Sequence, residues 1–399
     1  MLIAHKIALK PNNKQATYFS CACGCARKAY NWALDEWQKE YEAWKQDNSL
    51  SKPNQMSLRR KLNKIKRTEY PWMLEVTKCA PQLAIMQLGQ AFQNFFANRA
   101  KYPVFRKKGV HDRFSISNDQ FSVKDRQIQI PKLGWVSMTE TLRFKGKIIS
   151  ATVSRIADKW FVSITVEVPE LTLPKAENQG ATGVDLGITT LAVLSTGETI
   201  KGAKPHKALM QRLKRHSRSL SRKEKGSRNR DKTRRKLARL HARIANIRSN
   251  ALHQLTTDLT RRFHTIGIED LNVRGMQKNR RLSRSVADMS FFEFRRQLEY
   301  KAEQRGSLIV IADRFFASSK TCSVCGHKLE ELPLTVRKWL CPVCNTEHDR
   351  DINAAVNLRN LAVSSTVSAC GEESSGFGRK PKVKLASVKQ EANSRFAQL

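Results

Sequence analysis

The stretch GATGVDLGITTLAVLSTGETI, from Gly180 to Ile200, decides the fold. It reads as two apolar strands joined by a tight turn around Gly187, the pattern of a hairpin buried in an α/β core. Asp185 lies inside the first of these strands. A lone carboxylate there is costly unless it binds a cation or faces a cleft.

Two further acids occupy comparable places. Glu269 ends the buried-type strand Ile266-Gly267-Ile268, and Asp351 opens the helical run INAAVNL. Asp351 can also be read as an ordinary helix N-cap. Taken together, two strand carboxylates and one at a helix start match an RNase H-like site. In such a site acids hold two divalent ions that activate water and stabilise the leaving oxygen of a phosphodiester. Asp270, beside Glu269, points to the other side of the strand by the two-residue period and is the weaker ligand. Asp349 reads as a local cap or supporting group.

The charge points to the same chemistry. The 399 residues carry 73 Lys and Arg against 35 Asp and Glu, a formal charge of +38, which concentrates a polyanion. Between Lys201 and Asn250 stand 19 basic residues and two acids, Glu224 and Asp231. Leu237, Leu240, Ile244, Ile247, Ala251 and Leu255 give this segment the seam of a long helix, and Gly226-Ser227 separates it from a shorter helix over 205–224. Exposed helices usually mix signs, so the basic face predicts phosphate binding, with Arg212, Lys214, Arg215, Arg218, Arg222, Arg228, Arg234 and Arg235 as candidate contacts. There is no run of eighteen apolar residues, and Met1-Leu2-Ile3-Ala4-His5-Lys6 lacks a signal peptide's parts. A soluble intracellular protein without a membrane partner is expected.

Nine cysteines, an odd number, favour reduced thiols and metal ligation. Cys322-x2-Cys325 and Cys341-x2-Cys344 fit a zinc ribbon with one structural ion, because each knuckle turns two sulfurs toward one point. Four thiolates leave no open position, so this zinc is not catalytic and His348 is not needed as a ligand. Cys21, Cys23 and Cys25 do not share one helix face and read as ordinary thiols. Cys79 and Cys370 suggest nothing.

Elsewhere, LIAHKIAL reads as a first strand. Gln15 to about Asp47 and Leu58 to Ala100, broken near Pro71, are helical. After Pro103 the period shifts to two, and residues 104–170 read as an antiparallel β-barrel-like module with a hairpin turn at Ala157-Asp158-Lys159. PELTLPKAENQG reads as a linker.

In order along the chain, GVDLGITTLAV (183–193), IGIEDLNVRGM (266–276), FRRQLEYKAEQRG (294–306), DRFFASSKTCSVCG (313–326) and HDRDINAAVNL (348–358) closely resemble the TnpB (OrfB) proteins of bacterial and archaeal insertion sequences. These are relatives of the compact type V CRISPR effectors. ARKAYNWALDEW (26–37) resembles their opening helical segment, whereas the Cys21-Cys23-Cys25 run is denser in cysteine than their usual pattern.

The resemblance implies a multidomain α+β protein. Its parts are a first wedge strand (1–12), a helical recognition lobe (13–101) and a β-barrel wedge domain (102–175). A RuvC-like nuclease domain follows (176–320 and 347–365, with a basic helical segment 201–262), with an inserted zinc ribbon (321–346) and a flexible tail (366–399). It implies a cytoplasmic, nucleoid-associated RNA-guided DNA endonuclease that supports transposon maintenance and cuts beside a short transposon-adjacent motif. Catalytic Mg2+ is expected on Asp185, Glu269 and Asp351. Guide RNA from the element and double-stranded target DNA are the expected partners, with a monomer on its RNA. A transposase acting by strand transfer, or a repressor that binds without cutting, are the alternatives.

Overall fold

The computed structural model describes residues 1–169 and 176–370. The chain divides into two compact units, Met1–Leu171 and Thr172–Leu399.

The first unit opens with β1 (Leu2–Leu9) and continues into α1 (Asn13–Gln46), α2 (Gln55–Ile65) and α3 (Cys79–Phe96). A capping box starts α1: Asn12 Oδ1 accepts from Gln15 N while Gln15 Oε1 accepts from Asn12 N. Cys23 and Cys25 are buried on α1 among Phe19, Ala22, Ala26 and Ala29, and Cys21 is exposed. The cluster is helix core with one surface thiol.

The alternating segments become β2 (Arg113–Ser117), β3 (Ser122–Lys124), β4 (Gln127–Ile130), β5 (Gly134–Ser137), β6 (Lys147–Ile156) and β7 (Lys159–Glu167). They make a four-stranded sheet in the order β1-β7-β6-β2 and a three-stranded sheet β3-β4-β5. A Leu9–Met138 bridge and the bonds Lys10 N to Ser137 O and Thr139 N to Ala8 O link them. The β6–β7 turn forms as expected, with Ala157 at φ 56°. Of the expected linker, residues 170–175 lie outside the described residues.

The second unit is built on the opening stretch. β8 (Ala181–Asp185), β9 (Ala192–Leu194) and β10 (Thr199–Ile200) form an antiparallel meander. After α4 (Pro205–Ser221) and α5 (Arg228–Arg262), β11 (Thr265–Ile268) adds parallel to β8. Then α6 (Val273–Lys278), α7 (Ser283–Met289) and α8 (Phe291–Arg305) lead to β12 (Leu308–Ile311), parallel to β11. The order is β10-β9-β8-β11-β12. A small antiparallel pair, β13 (Lys338–Leu340) and β14 (Glu347–Asp349), precedes α9 (Arg350–Cys370). The helix thus runs past the expected boundary at 365, and the rest of the expected tail lies outside the described residues.

Strand alternation sorts the two faces of the five-stranded sheet. Val184, Ile266 and Ile268 bury against Leu252, Leu255 and Leu259 of α5 and Phe291, Phe294 and Leu298 of α8. The intervening residues, Gly183 and Gly267, are register partners on β8 and β11 and lie under α9. A Cβ on Gly183 meets the Ala355 carbonyl oxygen at 1.9 Å, and one on Gly267 meets that of Leu358 at 2.3 Å. Two adjacent glycines therefore form a flat notch in which the helix backbone rests on the sheet.

Gly183→Ala is expected to destabilise the second unit by about 3 kcal/mol, since backbone must move to admit the methyl. Thermal melting should drop by roughly 6–12 °C on that estimate. Gly24→Ala, which meets nothing nearer than Arg27 Nη2 at 3.9 Å, should be neutral or slightly stabilising in the same assay. Equal melting of Gly183→Ala and the parent chain refutes the notch.

The long basic helix has two packing partners. Leu240 and Ile244 of α5 close a separate small core with Leu213 of α4, while Leu252, Leu255 and Leu259 pack in the sheet core. Between the two helices Gly226 takes φ 91° and the Ser227 hydroxyl caps α5 by accepting from Arg230 N at 3.2 Å. The Arg230 guanidinium turns back to the carbonyls of Leu220 and Lys223, at 2.9 and 2.7 Å, satisfying groups at the end of α4.

Candidate active site and metal centre

The notch places the acids. Asp185 stands two residues beyond Gly183, at the carboxyl end of β8, and Glu269 two residues beyond Gly267, just past β11. The two-residue period turns both toward the α9 face. Asp351 lies one helical turn before Ala355, the residue over Gly183, so it is displaced about 6 Å along α9. Two strand residues carry Asp185 about the same distance from Gly183. All three carboxylates therefore reach the same end of the sheet.

Their electrostatics agree. Burial, then the neighbouring charges of Glu269 and Asp351, push the Asp185 carboxyl up to about 8, and Arg350 and Arg337 offset this only partly. Glu269 Oε1 accepts from the Ser318 hydroxyl at 2.5 Å. Asp351 is paired with Arg337 Nη1 at 3.2 and 3.3 Å. The helix cap is Asp349, whose Oδ1 accepts from the backbone N–H of Asp351 and Ile352 at 3.0 and 3.1 Å. Asp351 is thereby free of capping duty. Asp270, one residue beyond Glu269, accepts from Arg295 at 2.7 Å and Arg314 at 2.6 Å.

The three carboxylates do not close round one point. Among the described residues, the group of three or more possible ligand side chains gathered to metal-binding distance is the four cysteines. Each of the outer two acids turns instead to a local donor, Glu269 to Ser318 and Asp351 to Arg337. A donor set of three hard oxygens, one of them pushed toward its neutral form by burial and then by the other two carboxylates, suits a divalent cation.

This has a pH signature. A raised folded-state pKa means the folded protein binds the Asp185 proton more tightly than the unfolded chain. Stability of the magnesium-free protein should therefore fall as pH rises from about 4 to about 8. Melting temperatures at pH 5.5 and 8.5 should differ in that direction, and magnesium should raise the second. Asp185→Asn should flatten both responses; an unchanged slope sinks the assignment.

The cysteines form a second centre. Cys322 and Cys344 sulfurs lie 3.6 Å apart, as do those of Cys325 and Cys341, and all four sulfurs fall within 4.8 Å of one another. Tetrahedral Zn–S bonds of about 2.3 Å separate sulfurs by roughly 3.8 Å, so the cluster fits structural zinc. The knuckles are twins: Gly326 at φ 77° follows the first and Asn345 at φ 52° the second. Their amide N–H groups donate to the carbonyls of Cys322 and Cys341, both at 3.0 Å. His348 is buried and packs on Trp339, its Nε2 3.0 Å from Cys322 Sγ, so it supports the cluster from outside the four-sulfur set.

Asn353 and Asn357, one turn apart and buried on α9, tie the stem of this module to the helix. Their Nδ2 groups donate to Ser318 O, at 3.4 and 2.8 Å, and to Thr321 O, at 2.8 and 2.6 Å. Sequence reasoning passed over both, along with Ser318 and Arg337. The available signal was a pair of amides at i and i+4 inside the otherwise apolar INAAVNL, which burial obliges to find partners.

Of the candidate phosphate contacts, Arg212, Lys214, Arg215, Arg218 and Arg222 line one groove along α4. Arg228 begins α5. Arg234 is held by Asp231 at 3.0 Å, and Arg235 Nε reaches the Asp231 carbonyl at 3.4 Å. The buried Asp288 is not part of either centre; it accepts from the N–H groups of His206 and Lys207 and from Arg248.

The chain is similar to known proteins over nearly its whole length. A family described as probable transposase, OrfB of IS605, matches residues 161–280, and a Cas12f1-like TNB domain matches 291–358. A helix-turn-helix domain of the same OrfB group matches residues 1–46, where this chain has a strand and one continuous helix. A "Putative RNA-guided DNA endonuclease" of Streptomyces pristinaespiralis is 39% identical over 400 residues, covering 97% of this chain and 96% of the relative. InsQ of Escherichia coli K12, under the same description, is 32% identical over 387 residues, covering 93% and 94%. Among solved structures, a Cas12f1 in complex with sgRNA and target DNA shares the fold at TM-score 0.56 and 16% identity, covering 88% of this chain and 83% of that one.

Proposed function

We propose that this chain, which belongs to the OrfB (TnpB) family of insertion-sequence proteins, is an RNA-guided DNA endonuclease. The observation that supports the reading is that Asp185 feels the charges of Glu269 and Asp351 at one end of a sheet ordered β10-β9-β8-β11-β12, the arrangement an RNase H-like, RuvC-type site would need. In this reading the three acids hold Mg2+, which when bound activates water and stabilises the charge that builds on a phosphodiester.

The chain's own residues do the rest. Ser318 fixes the Glu269 carboxylate by hydrogen bonding, and Arg337 holds Asp351 at the mouth of the site. Asp349, by taking over the cap, leaves Asp351 exposed to the cleft. The zinc module is structural: it delivers the chain into α9 at a fixed place. The row of basic side chains on α4 contacts backbone phosphates in a salt-dependent way.

Guide RNA supplies the sequence information by pairing, while the protein reads nucleic-acid backbones and a short duplex motif beside the target. Residues 13–101 serve as the recognition lobe, and the first strand with residues 102–175 as the wedge. The test is to express the chain with its flanking element, sequence the RNA that co-purifies, and challenge the complex with a matched target beside a randomised motif. Magnesium-dependent cleavage at the guide-matched site is expected. Cleavage that ignores the guide and requires the element's terminal repeats instead supports a transposase, and binding without any cleavage supports a repressor.

A further inference from the structure

We infer that a cleft beside Glu269 holds one unstacked nucleotide of the DNA strand being cut, with its base on the ring of Phe292; this rests on the nuclease reading above. The cleft has a volume of about 400 Å³ and runs from Glu269 and Leu186 to the start of α8. That is room for a single nucleotide, at the small end of ligand sites, and not for a duplex.

Its floor is apolar, made by Ile268, Leu271, Val273 and Phe291. Phe292 stands on the rim with 70% of its surface exposed and has no ring partner among the described residues. Its neighbour Phe291, by contrast, is buried. A large exposed ring on an apolar floor suits the face of a base that has lost its stacking neighbours.

The rim is otherwise cationic. Arg295 bridges Asp270 and Glu299, a carboxylate that also lines the cleft, Arg314 is fixed on Asp270, and Arg296 is fixed on Glu293 at 2.8 and 2.7 Å, so these guanidinium groups form a set wall in which each acid is paired. Arg274, also lining the cleft, is exposed and makes no ion pair or hydrogen bond among the described residues. It is available to a phosphate, while the wall neutralises the carboxylates that would otherwise repel one. An apolar floor, a bare ring and an unengaged arginine next to a catalytic carboxylate form a subsite for a nucleotide flanking the scissile phosphate.

The test uses the full chain with its co-purified RNA and matched targets carrying one abasic site at a time around the cut. The parent complex should lose about 5- to 150-fold in cleavage rate at one position, the range that one base–aromatic stack is worth. Phe292→Ala should show that same loss on intact DNA and no further loss at the abasic position, while Phe292→Tyr restores both behaviours. Uniform indifference to abasic sites, or full abasic sensitivity retained in Phe292→Ala, overturns the subsite while leaving guided cleavage in place.

If the parent complex cuts no matched target, the nuclease reading fails separately. The cleft is then judged by binding alone, using a single-stranded deoxyoligonucleotide containing 2-aminopurine. Its fluorescence should be quenched by the parent chain and not by Phe292→Ala; equal quenching rejects the proposal. Quenching confined to the matching oligoribonucleotide assigns the cleft to RNA and likewise rejects it.

Discussion

Replacing Asp185 by Ala should lower guided DNA cleavage by at least about a thousandfold, because several kcal/mol of charge stabilisation leave with the carboxylate. Affinity for RNA and for target DNA should stay within a few fold. Those functions rest on basic surfaces such as the α4 groove, which Asp185 does not touch. Glu269→Ala and Asp351→Ala should behave alike, since each removes one of three oxygen donors from the same end of the sheet. Asp349→Ala is the informative contrast. It loses a cap worth about 1 kcal/mol and should melt lower while keeping most of its activity. A wild-type cleavage rate in any one of the three alanine variants removes that residue from the site.

The second large effect concerns zinc. Cys341 is fully buried at the centre of a core whose other buried members are Cys322, Leu332 and Trp339. Leu332 and Trp339, with the partly buried Leu329 and Val336, are few apolar side chains for some twenty-five residues, so a zinc ion on the four sulfurs would supply most of the folding free energy, about 10–16 kcal/mol in isolated zinc modules. Cys341→Ser should reduce zinc from one ion per chain to near none and open residues 321–346 to protease. Cleavage should fall with it, because β14 ends at Asp349 and runs directly into α9. Zinc content measured at one per chain, with unchanged protease resistance, removes Cys341 from the metal centre.

Much of this was legible because the signals were local. The hairpin with its embedded acid, the paired knuckles, the seam of α5 and its Gly226-Ser227 break each involve residues close in sequence, where period and turn chemistry speak directly. The three acids could be picked from their strand and helix-start positions. Their meeting depends on the register of Gly183 with Gly267 and on the backbone of α9, contacts between distant segments that no period reports. The same holds for Arg337, whose partner Asp351 lies across the zinc module. The division of α5 between two cores was also hidden, since an unbroken apolar seam looks the same whether it meets one partner or two.

The grip of Asn353 and Asn357 on Ser318 and Thr321 bears on how such a protein can change. The inserted segment departs from a point pinned to α9 and returns at the first residue of that same helix, where Arg350 N bonds Arg337 O at 2.8 Å. Both ends of the excursion are thus anchored within about two turns of one rigid rod. Apart from Arg337, which holds Asp351, what lies between can lengthen, shrink or be exchanged for another self-folding unit at a modest loop-closure cost, without shifting the acid at the rod's head. Modular replacement at this junction is an open route for lineages, and for engineers, to alter what accompanies the nuclease core.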